Sequence, residues 1–352
     1  MTKTAKNRRK ATGLIVAVVG MMLVAAACSS ESKPDEVVLL THESFAVSDG
    51  VFDEFTGQTG ITVVQRTGGD AGTMLNQAVL TKDNPIADVI YGVDNTFISR
   101  AIDNDLFISH RAAGIDNVSE LLLVAGDLAT PIDYGDVCVN YHIAGMKSRG
   151  VPIPDNLDDL VDPTYKDLLV VEDPATSSPG LAFLMATIAT YPEGADYDWR
   201  AYWTDLFANG VSVTSDWSEA YYTQFSQSGG DRPLVVSYAS SPPAEMLDSE
   251  LTEAPTGVMT EGCFRQIEYA GILKGTKHES NAAALIDFLL SPAFQNDIPL
   301  NMFVYPANSR ATLPQVYADY TVFPDAPVIM DPHTIDANRE RWITEWTQIA
   351  RS

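Results

Sequence analysis

VVLLTHESFAVSDGVFDEFTGQTGITVVQRTGGDAGTMLNQAVLTKDNPIADVIY, residues 37–91, is the stretch whose reading decides the fold. Val37-Val38-Leu39-Leu40 is a short apolar run that ends in Thr41-His42-Glu43-Ser44, the pattern of a buried strand running into a loop. Val51 to Gln58 places Val51, Phe52 and Phe55 at helical spacing and stops near Gly57 and Gly60. Ile61 to Gln65 alternates as a second strand. Gly68 to Thr73 then turns the chain into a helix over Met74 to Thr81. Ala87 to Tyr91 is a third strand, followed by a helix over Asn95 to Asn104. This β-α-β-α-β rhythm implies an α/β protein with a parallel, doubly wound sheet.

The rhythm breaks at Pro131-Ile132-Asp133-Tyr134-Gly135. Val137 to Tyr141 then reads as a strand that crosses to a second unit. That unit has strands at Leu168–Glu172, Val211–Thr214 and Leu234–Tyr238, with helices at Gly180–Tyr191 and Ser218–Gln227. Ile267 to Ile272 reads as the return crossing, and Ala282–Leu290 and Asn338–Ile349 are amphipathic helices. A lobe opened, a second lobe inserted and the first resumed is the layout of a two-lobe binding protein with strand hinges. The expected partition is lobe 1 over 37–135 and 265–352, and lobe 2 over 136–264.

The N-terminus reads as a targeting segment. Lys3, Lys6, Arg8, Arg9 and Lys10 precede an uncharged apolar run, Ala11 to Ala27, and small residues lead into Cys28. Val24-Ala25-Ala26-Ala27-Cys28 resembles a bacterial lipobox, which assigns 1–27 to a lipoprotein signal peptide, Cys28 to the lipid anchor and 28–36 to a polar tether. Cleavage removes five cations and no acid, so the formal charge moves from −25 to −30. Such a surface repels nucleic acid and anionic head groups and favours a cationic solute. Export places Cys138 and Cys263 in an oxidising compartment, where the pair reads as one disulfide between the two crossings.

Four loops follow strand C-terminal ends, the edge at which open α/β sheets bind ligands. They are Thr41–Ser44, Asp70–Thr73, Asp173–Gly180 and Ser237–Pro243. In the last three, Ser or Thr stands at a helix start, as an ordinary cap or as part of an anion site. Trp217 and Tyr221 are four apart and share a helix face, with Phe303 and Tyr305 as further aromatic surface. Such rings pack a core or stack on a cationic heterocycle. Enzyme readings find no support: there is no G-x-S-x-G elbow, no H-E-x-x-H and no Walker loop, and the five His have no metal spacing.

With these segments in view, the chain resembles the thiamine-binding solute receptors of bacterial ABC importers. The segments that carry the resemblance are THESFA (41–46), ADVIYGVDN (87–95), DYG (133–135), EDPATSSPGL (172–181), WSEAY (217–221), VVSYASSP (235–242), LSPAFQNDIP (290–299) and RWITEW (341–346). The resemblance implies a two-lobe type II periplasmic-binding fold, with doubly wound mixed sheets joined by hinge strands. It implies capture of thiamine and its phosphates in an interlobe cleft and delivery to an ABC permease by an extracytoplasmic, lipid-anchored monomer with no resident cofactor. Asp70 and Ala71 match the family's Asp-Gly ligand loop, with Gly72 next in line for the missing glycine. Ser177 and Ser178 match its phosphate contacts, Trp217 its stacking tryptophan, and Tyr238 and Ser241 the Tyr and Ser of its S-Y-x-x-S-P loop. His42 stands where the family has Tyr, Phe303 where it has Trp, and Ala244 where it has a further Tyr. Glu43 or Asp70 would accept from the aminopyrimidine.

Two rivals stand beside this reading. A ferric-ion receptor of the same fold would use Tyr221, Tyr222 and His42, because phenolates suit Fe(III). A secreted hydrolase would use Ser177 or Ser241, for which the sequence offers no motif.

Overall fold

The computed structural model describes residues 35–123, 125–247 and 251–352, and these form one compact unit. Residues 1–34, which hold the segment expected to be a signal peptide, Cys28 and most of the expected tether, lie outside the described residues. Among the described residues, ten strands build one mixed sheet. They are β1 (Asp35–Thr41), β2 (Ile61–Thr67), β3 (Val89–Asp94), β4 (Phe107–Ile108), β5 (Thr130–His142), β6 (Leu169–Glu172), β7 (Ser212–Thr214), β8 (Leu234–Tyr238), β9 (Thr256–Leu273) and β10 (Tyr305–Pro306). The order is β2-β1-β3-β9-β5-β8-β6-β7, with β4 on β9 and β10 on β5.

The sheet has two parallel groups of three. One is β2-β1-β3 and the other β8-β6-β7. Between them run the two long strands, β5 and β9, antiparallel to each other and to the strand on either flank. Because they pair along most of their length and also with a group at each end, the expected pair of sheets is one continuous sheet. Both crossings are longer than the sequence predicts. Pro131, Gly135, Gly257 and Gly262 punctuate the apolar pattern without ending the strands. Bulges at Pro131/Asp133 and Val137/Val139 absorb the irregularity.

The second bulge carries the disulfide. Val137 pairs with Phe264 and Val139 with Met259, so residues 260–263 oppose Cys138 alone. Cys138 and Cys263 are bonded there with Cα atoms 4.4 Å apart, as the sequence predicts. Gly262, at φ 74°, turns the bulge; a Cβ would come within 2.7 Å of Leu157.

Helices cover both faces. Helix Ser178–Thr190 is buried from Ser178 through Ile188, the state of a helix that is apolar all round. Burial of Leu181, Phe183 and Leu184 contributes roughly 2 kcal/mol per side chain. The C-terminal helix Pro332–Ala350 leans on both halves. Its Trp346 packs edge-on against Trp203 at 5.4 Å, while Arg339 donates to the Thr96 carbonyl at 2.8 Å.

Candidate functional site

The loops at the strand ends meet in a cleft of about 470 Å³, a volume suited to a small organic ligand. Of the residues predicted from the sequence, His42, Glu43, Asp70, Ala71, Ser178, Trp217, Tyr221, Tyr238, Ser241 and Phe303 line it, and Ala244 does too. Gly72 and Ser177 are not on its wall. A Cβ on Gly72 would meet the Phe97 ring at 3.3 Å, so this glycine packs the helix down rather than facing a ligand. Ser177 is 1 % exposed, at the cap position of helix Ser178–Thr190.

One wall is aromatic. Trp217 starts a short helical turn capped by Asp216, whose carboxylate accepts from the Glu219 N–H at 2.8 Å. The expected continuous helix is instead a turn of α followed by π geometry over Ala220–Gln224, a form found at functional sites. Trp217 stacks on Tyr221 with ring centroids 4.9 Å apart and planes 21° apart. Tyr221 is core, in a cluster with Val170, Phe225 and Val235, whereas Trp217 stays half-buried against the cavity. The indole is fixed by a hydroxyl chain: Trp217 Nε1 donates to Ser237 Oγ at 3.0 Å, and Ser237 and Ser241 hydroxyls are 2.9 Å apart. Across the cleft, Phe303 adopts a left-handed backbone at φ 57°, a strained conformation for a bulky residue, and its carbonyl accepts from the Ser240 hydroxyl.

The lining is acidic. Glu43, Asp70, Asp133, Glu245 and Glu268 line the cavity, and among the described residues no Lys or Arg does. Asp133 and Glu268 are direct cross-strand partners on β5 and β9, an arrangement that costs free energy when both are charged. Burial, with Glu268 adding repulsion, pushes Asp133 well above the usual carboxylate range. Tyr91 donates to its Oδ2, while its Oδ1 is buried without a partner. His42 forms an ion pair with Glu268 at 3.4 Å. Burial works against the imidazolium, but Glu268, Asp70 and Glu43 together raise its pKa. Gly92 makes room for this ring, since a Cβ there would fall 2.1 Å from His42 Cδ2.

Asp70 occupies the cap position of helix Ala71–Leu80 without capping it. Its Oδ1 accepts instead from the Ser178 N–H at 3.2 Å, at the start of the helix in the other half of the sheet. Burial raises Asp70 to about 7, opposed by His42. Behind it, burial raises Asp94 to about 6, opposed by the Thr96 hydroxyl. Tyr238 donates to Gln266 Oε1 at 2.8 Å, and Gly135 admits the phenol: a Cβ there would approach Tyr238 Cδ1 to 2.8 Å.

Asp133, Glu245, Gln266 and Glu268 were not singled out from the sequence. Glu268 carried a signal: it interrupts the apolar run Ile267 to Ile272, where a charge has no structural use. The ferric constellation does not form a donor set. Tyr222 is 57 % exposed, and the Tyr221 hydroxyl is committed to Glu245 Oε1 at 2.6 Å. Burial and that carboxylate raise Tyr221 well above the usual phenol range, which opposes a phenolate.

A profile of the bacterial extracellular solute-binding protein family matches residues 84–323. The chain is 29 % identical to the thiamine-binding periplasmic protein of Salmonella typhimurium over 333 residues, 92 % of this chain and 96 % of that one. Among solved structures, a periplasmic thiamin-binding protein superposes with a TM-score of 0.78 at 28 % identity, over 90 % of this chain and 96 % of the other. Iron-bound HitA of Pseudomonas aeruginosa superposes at 0.71 with 19 % identity, over 90 % and 99 %, a likeness of fold alone.

Proposed function

The chain belongs to the bacterial extracellular solute-binding protein family, and from that membership and the chemistry of its cleft we propose that it captures thiamine for an ABC importer. The observation that carries the reading is the pairing of a stacked Trp217–Tyr221 wall with five carboxylates and, among the described residues, no Lys or Arg on the lining. Thiamine is a fixed thiazolium cation linked to a planar aminopyrimidine. A cation over an indole face contributes about 0.5–2 kcal/mol, more when water is excluded. The carboxylates would supply the compensating charge, and Asp70 or Glu43 would accept from the exocyclic amine.

The relatives are binding proteins of transport systems, and thiamine is read here as cargo, not as cofactor. Closure of the halves about β5 and β9 would enclose the ligand and present the loaded form to a permease. The Asp70–Ser178 hydrogen bond already spans the two halves. Cleavage before Cys28 and lipidation of its thiol would hold the receptor on the outer face of the cell membrane as a monomer.

Calorimetric titration of the ligand-stripped protein with thiamine tests the reading. Wild type is expected to bind one equivalent, and Trp217→Ala to lose about tenfold or more in affinity, the size of one good cation–π contact. Equal affinity in the variant would remove Trp217 from the site.

A further inference from the structure

We propose that Ser240 is a positioning residue: from the opposite half of the sheet it sets the backbone of Phe303, so that the Phe303 ring keeps its place on the cleft wall only while the two halves are together. The inference rests on the thiamine reading above and adds a residue that does not itself line the cleft. Ser240 is fully buried at the cap position of helix Ser241–Glu245, yet its side chain does not cap that helix. The hydroxyl donates instead to the Phe303 carbonyl. The flanks of Phe303 are held from the other side. Before it, the Ser48 N–H donates to Asp297 at 2.9 Å, Asn301 donates to the Ser48 hydroxyl at 3.1 Å, and the Ala46 N–H donates to Met302 Sδ at 3.2 Å. After it, Tyr305 pairs with Tyr134 of β5. Ala46 and Ser48 follow β1, in the β2-β1-β3 half, whereas Ser240 follows β8 in the other.

Between those anchors Phe303 sits at φ 57°. The other non-glycine residues at positive φ among those described are Asp105 and Asp167, of a type that tolerates this region better. A bulky residue keeps such a backbone only where its surroundings impose it. Parting the halves breaks the bond from Ser240 and leaves the anchors on either side of Phe303 in place. The backbone then relaxes and the ring leaves the wall. The same segment also acts on its own half: Ser237, bonded in turn to Ser241, accepts from Trp217 Nε1 at 3.0 Å. Residues 237–241 thus set one aromatic group on each side of the cleft.

The test has a spectroscopic and a kinetic arm. Phe303 is followed by Val304, and no other Phe in the chain precedes a Val. Isotopic labelling of phenylalanine carbonyl carbons and valine nitrogens therefore gives a single carbonyl cross-peak in NMR, that of Phe303. At saturating thiamine, Ser240→Ala is expected to move this resonance upfield of its wild-type position, because the carbonyl accepts one hydrogen bond fewer. Stopped-flow emission should show thiamine leaving Ser240→Ala about threefold or more faster, with association within about twofold of wild type, as one hydrogen bond made after encounter requires. Coincident carbonyl resonances in the two loaded proteins overturn the bond. A displaced resonance with unchanged dissociation, or with association slowed instead, overturns its role in holding the ligand. Failure of the wild-type protein to bind thiamine overturns the vitamin reading and this inference with it, whereas either of the other two failures leaves that reading standing.

Discussion

Asp70 is a side chain whose protonation state the cleft controls. A carboxyl raised to about 7 is protonated in the fold at pH values where the unfolded chain is already ionised. Its contribution to the stability of the empty receptor is therefore full below about pH 4 and is lost as pH rises through about 7. A bound cation favours the ionised form, so binding releases a proton. Thiamine affinity should fall by up to about tenfold per unit as pH drops below 7, as linkage for one site requires. His42 faces Asp70 and gains positive charge as pH falls, which acts in the same direction, and Asp94 lies behind it. Asp70→Asn should bind more weakly and show a flatter profile. A flat wild-type profile from pH 6 to 8 would refute proton-coupled binding. Residues such as His42, Asp70 and Trp217 were legible in the sequence because they follow strand ends or open helices. Asp133 and Gln266 were hidden within strands, where a polar residue reads as solvent-facing until the neighbouring strand is known.

At the scale of elements, the first β-α-β-α-β run was legible because each strand ends at a polar loop and each helix stops at glycine or a polar cap. The π turn after Trp217 was not, since four-residue spacing in WSEAYY fits a regular helix equally well. The crossing strands were found but started too late, at Val137 instead of Thr130 and at Ile267 instead of Thr256. Their bond between Cys138 and Cys263 spans 125 residues of sequence, and a loop of that length stabilises the fold by roughly 4–5 kcal/mol in the chain-entropy model. Cys138→Ser with Cys263→Ser should lower the melting midpoint by about 5 °C or more, followed by circular dichroism. An unchanged midpoint would show that the sheet alone fixes the crossings. Gly135→Ala tests the same strands at the cleft: its Cβ would strike Tyr238, so thiamine binding should weaken while the fold persists.

The whole molecule concentrates negative charge outside and inside. A formal charge of −25 surrounds a cleft that holds no Lys or Arg among its described lining residues. Association with a cation should therefore slow as ionic strength rises. The C-terminal helix ties the halves together at the back through Trp346, Arg339 and an ion-pair cluster of Arg200, Glu193, Arg341 and Glu345. Charge balance was legible in the composition, but the placement of that helix across both halves was not, because its apolar face gives no partner. The most direct test of thiamine capture uses the tryptophans. Trp199, Trp203, Trp342 and Trp346 are buried, and Trp217 alone of the five lines the cleft. Titration of stripped wild-type protein with thiamine should quench tryptophan emission to saturation at one equivalent, and Trp217→Phe should abolish most of the quench. No change in emission with thiamine, together with a visible phenolate band on addition of Fe(III), would contradict the account.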